Sequence, residues 1–187
     1  MNRTEEDNID RYPRSLRVLH WARAALVLGL LWAGWHMTGL DDEGTAKFEI
    51  YYPWHKSFGL LAFLMVLVQI TIRRCTPGLP GTPQTLARYE QALSKLVHRG
   101  LYALLVIVPL MGYSMSSTFT MSDGIFFFGV NLPEFLPKND NWFAVFQWLH
   151  KVLAYTLLGL IVLHVVGAIK HRFLDRDPRN DVLRRML

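Results

Sequence analysis

The chain has 187 residues, a length suited to one domain, and 51% of them are hydrophobic. Those residues are bunched in blocks rather than spread along amphipathic faces, which argues against an ordinary water-soluble fold and for an all-α membrane protein. The net charge of +5 sits on the flanks of the blocks and carries no nucleic-acid reading, and the single cysteine, Cys75, excludes an internal disulfide, a cysteine metal cluster and a thiol-pair redox motif.

A spanning helix needs ~20 mostly apolar residues, because in hydrocarbon its backbone must satisfy its own hydrogen bonds. The leader "MNRTEEDNIDRYPRSLR" is long and mixed in charge, and no small-residue cleavage site follows it. It reads as a flank and not as a signal peptide. The first expected span runs from Leu16 to Leu40 and the second from Trp54 to Ile72. The link from Cys75 to Lys95 opens with Pro and Gly turn signals. From Leu86 it turns amphipathic, as a short surface lead-in to a third span from Leu96 to Ser117. The next link contains "GIFFFGVNLPEF", too short and too broken by Gly and Pro to span. It is expected to lie on the membrane interface and cover the helix ends there. The fourth span runs from Trp142 to Ile169. Residues 1–187 thus form one integral membrane domain, a four-transmembrane-helix bundle.

Lys and Arg set the orientation. The N-terminal flank has Arg3, Arg11, Arg14 and Arg17, with Arg23 just inside the helix. The second link has Arg73, Arg74, Arg88, Lys95 and Arg99, and the tail has Lys170, Arg172, Arg176, Arg179, Arg184 and Arg185. The other two links and their edges hold only Lys47, Lys56, Lys138 and Lys151. Both termini and the middle link are therefore expected in the cytoplasm. Trp32, Trp35, Trp54 and Trp142 fall at outer boundaries and Trp21 at the inner one, where aromatic anchors are usual.

Ionisable groups inside a membrane helix are costly and point to function, although a lone histidine can be a packed core residue. His150 and His164 are fourteen residues apart. Fourteen steps return to within ~40° of one direction and rise ~21 Å, so the two face one way near opposite surfaces. Helix direction places His164 and His20 at the inner level and His55 and His150 at the outer. His36 lies about 160° round from His20, so both cannot face one core. His98 is at the inner level and is a rival to His20. His171 falls in the charged exit "KHRF". Small residues follow the first four histidines at an interval of four, namely Ala24, Gly59, Ala154 and Ala168. Such positions let a flat macrocycle approach the backbone.

Zinc and copper sites want three or four close ligands. Each level here offers two imidazoles with no cysteine and no intramembrane carboxylate, which fits a haem iron with two axial histidines. The absence of C-x-x-C-H leaves non-covalent, b-type haem. The set is two haem b groups, held by His20 with His164 and by His55 with His150.

The motifs "RVLHWARA", "HKSFG", "LVHRGLYALL", "PLMGY", "WLHKVLAYTLLGLIVLHVVGAIKHRF" and "DRDPRNDVLRRM" resemble the bacterial cytochrome b561 family of small four-helix di-haem membrane cytochromes. The resemblance runs from about Arg11 to Met186. It implies the same four ligands, and electron transfer to or from quinone in the bacterial inner membrane. Superoxide oxidation has been proposed for a family member, and nothing in these residues extends it to this chain. His36 matches no family motif.

Secondary site readings stay paired. Arg23 either meets a propionate of the inner haem or snorkels to the headgroups. Lys56 and Lys151, each directly after an outer ligand, either neutralise propionates or are interfacial lysines. His98 and Arg99 sit where a propionate or quinone would be contacted, and His98 reads as a hydrogen-bonding group in preference to a ligand. The chain is then an electron-transfer protein or a quinone-linked oxidoreductase. The rival readings are a haem-bearing membrane anchor for a separate dehydrogenase or hydrogenase, and a haem-free metal-binding transporter.

Overall fold

A computed structural model describes residues 11–41, 46–122 and 124–187; Arg3 and most of the leader lie outside the described residues. Four long helices carry the fold: α1 (Arg14–Thr38), α2 (Tyr52–Cys75), α3 (Arg88–Thr118) and α4 (Asp140–Phe173). Each is long and apolar enough to cross a membrane. A π-helical turn, Lys47–Tyr51, leads into α2 without a break.

Three helices are longer than the sequence reading had them; α2 runs beyond Trp54–Ile72 at both ends, to Tyr52 and Cys75. α3 starts at Arg88, so the amphipathic lead-in is the first turns of the spanning helix itself. No Gly or Pro interrupts residues 88–99, and the Glu90 carboxylate accepts the Ala87 N–H at 3.2 Å. α4 starts at Asp140 because Asn139 caps it, accepting the N–H groups of Asn141 and Trp142 at 3.0 and 3.2 Å. It persists to Phe173, where Lys170, His171 and Arg172 complement the carbonyl end of the helix.

The outer link also departs from an all-α fold. Ile125–Phe127 (β1) and Val130–Leu132 (β2) pair antiparallel around a two-residue turn. That turn needs a positive φ at both residues, met by Phe128 at 47° and Gly129 at 96°. The hairpin is pinned to α2. The fully buried Ser57 hydroxyl lies 3.1 Å from the Phe126 carbonyl oxygen and accepts the Phe128 N–H at 3.1 Å.

The opposite end of the bundle is closed by the tail. Trp21 Nε1 donates to the Met186 carbonyl at 2.8 Å, and the Tyr12 N–H donates to the Arg185 carbonyl at 3.1 Å. Arg185 donates to the Gly81 carbonyl at 2.8 Å, and Tyr12 Oη donates to the Pro80 carbonyl at 2.8 Å. Lys170 pairs with Glu90. Both terminal segments and the α2–α3 link therefore meet at one end, called here the termini end; the other is the hairpin end.

Close backbone packing runs from α1 to α2, from α2 to α3 and, most extensively, from α3 to α4. No packing of comparable extent joins α4 to α1 or α2 among the described residues. What bridges that gap at mid-height is side chain: Val27, Ala62, Val66, Leu104, Leu105, Val108 and Leu157 form one buried cluster. Large apolar residues such as Val18, Leu28, Val68, Val162 and Val166 are at least half exposed on the helix exteriors. That is a liability in water and is the expected surface in lipid.

Candidate functional site

A seven-residue step turns a helix to within ~20° of its starting direction. Each helix uses that step to place one residue at each of three levels. α1 offers His20, Val27 and Gly34; α2 offers His55, Ala62 and Gln69. α3 offers His98, Leu105 and Gly112; α4 offers His150, Leu157 and His164. The middle members Val27, Ala62, Leu105 and Leu157 are all in the buried cluster. Histidines lie above and below it.

At the hairpin end the rings of His55 and His150 have centres 6.2 Å apart with planes at 80°. At the termini end His20 and His164 are 6.3 Å apart with planes at 63°. A metal–imidazole bond is about 2 Å, and a five-membered ring of ~1.35 Å bonds puts each nitrogen ~1.15 Å from its centre. Two imidazoles on opposite sides of one metal ion therefore have centres about 6.3 Å apart. Both pairs have that separation. His98 also approaches His164, but at 5.0 Å, too close for those two rings to stand on opposite sides of one metal ion. No group of three or more His, Cys, Asp or Glu side chains able to hold a metal ion occurs among the described residues. The donor set suits a cofactor that brings its own equatorial donors and takes two imidazoles, which is what b-type haem requires.

The hairpin-end pair is seated by glycines. A Cβ on Gly112 would lie 3.1 Å from His150 Cε1 and 3.2 Å from Nδ1, and one on Gly34 would lie 3.5 Å from His55 Cε1. The ring of His150 donates from Nδ1 to the Val108 carbonyl at 2.9 Å. A carbonyl cannot donate, so Nδ1 carries the hydrogen and Nε2 keeps its lone pair for a metal. His55 Nδ1 is buried without a hydrogen-bond partner.

Arg23 is 8% exposed, with its guanidinium 5.6 Å over the Tyr102 ring. The side chain turns into the bundle. Its Nη1 has no hydrogen-bond partner. Beside it Gln69 is buried and donates to Tyr102 Oη at 3.2 Å. His98 is exposed and donates from Nδ1 to the Ser94 carbonyl at 2.7 Å. With Arg73, Lys95, Arg99 and Tyr102 it lines an open cavity of about 260 Å³ at the termini end. Lys56 donates to the Gly124 carbonyl at 3.3 Å and ties α2 to the hairpin link. Lys151 is exposed on α4. His36 stacks on Trp32, and His171 Nδ1 is 2.8 Å from Asp175 Oδ2.

Sequence reasoning passed over Gly34, Gly112 and Gln69. The signal was present: each lies fourteen residues from a histidine on its own helix, the interval already noted between His150 and His164. Of the small residues expected one turn along, Gly59 has open space around its missing Cβ.

Residues 11–187 match the family described as prokaryotic cytochrome b561. Cytochrome b561 homolog 2 of Escherichia coli (strain K12) is 29% identical over 188 residues, covering 95% of this chain and 92% of that protein. The probable superoxide oxidase CybB of Yersinia pestis is 23% identical over 174 residues, covering 90% and 91%. With four helices fit to span a membrane and histidines facing across the bundle at two levels, the chain belongs to the prokaryotic cytochrome b561 family of b-type, haem-binding membrane electron-transfer proteins.

Proposed function

We infer that the chain carries two haem b groups, one held by His20 and His164 at the termini end and one by His55 and His150 at the hairpin end. Electrons pass between the two ends, and quinone is the partner on one side. The observation carrying this reading is the repeated ring separation, 6.3 and 6.2 Å, at two levels set by the fourteen-residue interval on α4. When bound, haem iron supplies reversible one-electron exchange. The residues of the chain do the rest. α4 offers one imidazole to each level. The Val108 carbonyl selects the His150 tautomer that leaves Nε2 free. The cluster around Leu157 excludes water between the levels, and the lipid-facing exterior keeps the surrounding dielectric low. The excess of Lys and Arg at the termini end favours a cytoplasmic position for that end, with the protein in the inner membrane.

The test has two parts. Pyridine haemochrome and protein assay on one sample should give two haems per chain; a fully loaded sample near one would end the two-site reading. Low-temperature EPR should then sort four single mutants into two classes. His20→Ala and His164→Ala lose one low-spin signal, and His55→Ala and His150→Ala lose the other. Grouping of His20→Ala with His55→Ala would overturn the pairing. Anaerobic mixing of the loaded protein with quinol and with oxidised quinone tests the partner. A haem-bearing anchor subunit would instead retain a second chain through purification.

A further inference from the structure

The open cavity at the termini end carries charge that the chain does not balance. Arg73, in the last turn of α2, and Lys95 and Arg99, on the early turns of α3, line it together with the side-chain hydroxyls of Thr82, Ser94 and Tyr102. No Asp or Glu lines it. Elsewhere at this end cations find carboxylates: Lys170 pairs with Glu90, Arg172 with Asp181 and Arg179 with Asp177. Arg73, Lys95 and Arg99 have no carboxylate partner among the described residues. We propose that this cavity binds the phosphate of an anionic phospholipid, held between the end of α2 and the start of α3. No proposed iron ligand lines the cavity, so the site does not depend on the number of haems.

The donors suit a phosphate. A guanidinium presents a fork of N–H groups to phosphate oxygens, and an ammonium adds a point charge. Arg73 lies 5.6 Å over the Tyr12 ring, a contact that steadies the side chain without cancelling its charge. Three like charges around a space of about 260 Å³ repel one another. An anion among them removes that repulsion, whereas a neutral ring in the same space leaves it in place.

Depth and surface point to a lipid as the source of the phosphate. Arg73 directly follows the apolar run that ends at Ile72, and Lys95 directly precedes the one that starts at Leu96. In a spanning bundle such positions lie where hydrocarbon gives way to headgroups. Basic pockets between helices at that level recognise anionic headgroups. Leu96, Ile107 and Leu110 are all exposed on α3. Eleven and fourteen steps bring the last two to within ~40° of the direction of Leu96. They form an apolar strip that starts beside the cavity and runs into the membrane, where an acyl chain attached to the bound phosphate would lie.

The test uses the full, haem-loaded chain, stripped of lipid in non-ionic detergent. It is titrated with phosphatidylglycerol, phosphatidylcholine and inorganic phosphate, and bound molecules are counted by native mass spectrometry. The wild type should retain one phosphatidylglycerol, and neither of the other two probes should take its place. Arg73→Gln with Lys95→Gln should weaken that binding about thirtyfold, at roughly fivefold for each charge removed. Arg74→Gln with Arg176→Gln removes as much charge outside the cavity and should leave binding unchanged. Ser94→Asp keeps every cation, places a carboxylate in the cavity and should abolish binding; it decides the matter should the double variant fail to insert. Equal loss in both double variants would reduce the site to a generally basic surface. Displacement by inorganic phosphate would make it a free-anion site. Either result overturns the proposal, and so does retention of phosphatidylglycerol by the Arg73 and Lys95 variant. A shifted low-spin EPR signal alongside that retention would assign the cations to a haem. Haem counting on the same samples reports separately on the two-haem reading.

Discussion

A histidine inside a membrane helix needs something to hold its ring, and the rings here find different partners. His36 stacks on Trp32, ring centres 5.3 Å apart and planes within 2°, and meets Tyr51 edge-on at 5.1 Å. His98 gives its Nδ1 hydrogen to Ser94 and sits 5.0 Å from His164. Two imidazoles on opposite sides of one metal ion need a wider separation, about 6.3 Å. His36→Ala and His98→Ala should therefore both keep two haems per chain and two low-spin EPR signals. Loss of the signal that His164→Ala removes, in the His98 variant, would make His98 a ligand and displace His20. Depth alone could not separate His20 from His98, because both start an inward-to-outward helix near the same surface. The separating quantity is a distance between helices, which no single-helix periodicity contains.

Among the elements, the long helices were the most legible. Lipid imposes runs of ~20 apolar residues, and such runs are visible without any knowledge of packing. Their ends were not, because Asn139 and Glu90 extend α4 and α3 by hydrogen bonds that lie outside the apolar blocks. The hairpin was hidden for a different reason. Its turn demands a positive φ at Phe128, a residue that rarely adopts one, and the conformation is held by Ser57 from another element. Ser57→Ala removes that partner and leaves the Phe128 N–H and the Phe126 carbonyl without it. The expected cost is about 1–3 kcal/mol, confined to the hairpin. Hydrogen exchange across residues 125–132 should rise while the haem count stays at wild type. Unchanged exchange would mean that strand pairing alone holds the hairpin. Gly34 and Gly112 were legible in interval only. Which neighbouring ring each one faces depends on how the helices are rotated against each other.

For the molecule as a whole, charge asymmetry and the meeting of both terminal segments at one end agree about topology. The side of the membrane on which that end lies follows from the Lys and Arg bias alone. Cys75 offers a direct reading. It is the only cysteine, it is exposed, and it ends α2 at the termini end. A membrane-impermeant maleimide should label it in inverted vesicles and leave it unlabelled in right-side-out cells. The opposite result would reverse the orientation while leaving the fold intact. The tail that closes this end left little trace in the sequence. Trp21, Arg185 and Tyr12 all bond to backbone carbonyls, and a carbonyl acceptor has no residue type to look for.

The separation of α4 from α1 and α2 bears on how the protein is made. Both proposed ligand pairs draw one member from α4, which leaves the ribosome after α1, α2 and α3. A nascent chain with three helices inserted holds His20, His55 and His98 but lacks both α4 histidines. On this reading haem cannot be captured before α4 has been made. The finished apo-chain has α4 attached through α3, the mid-height cluster and the tail. Haem then binds only the assembled form, and by mass action it stabilises what it binds. On the same reading cofactor supply would act as a checkpoint after translation, with the amount of intact protein in the membrane following the haem available to the cell.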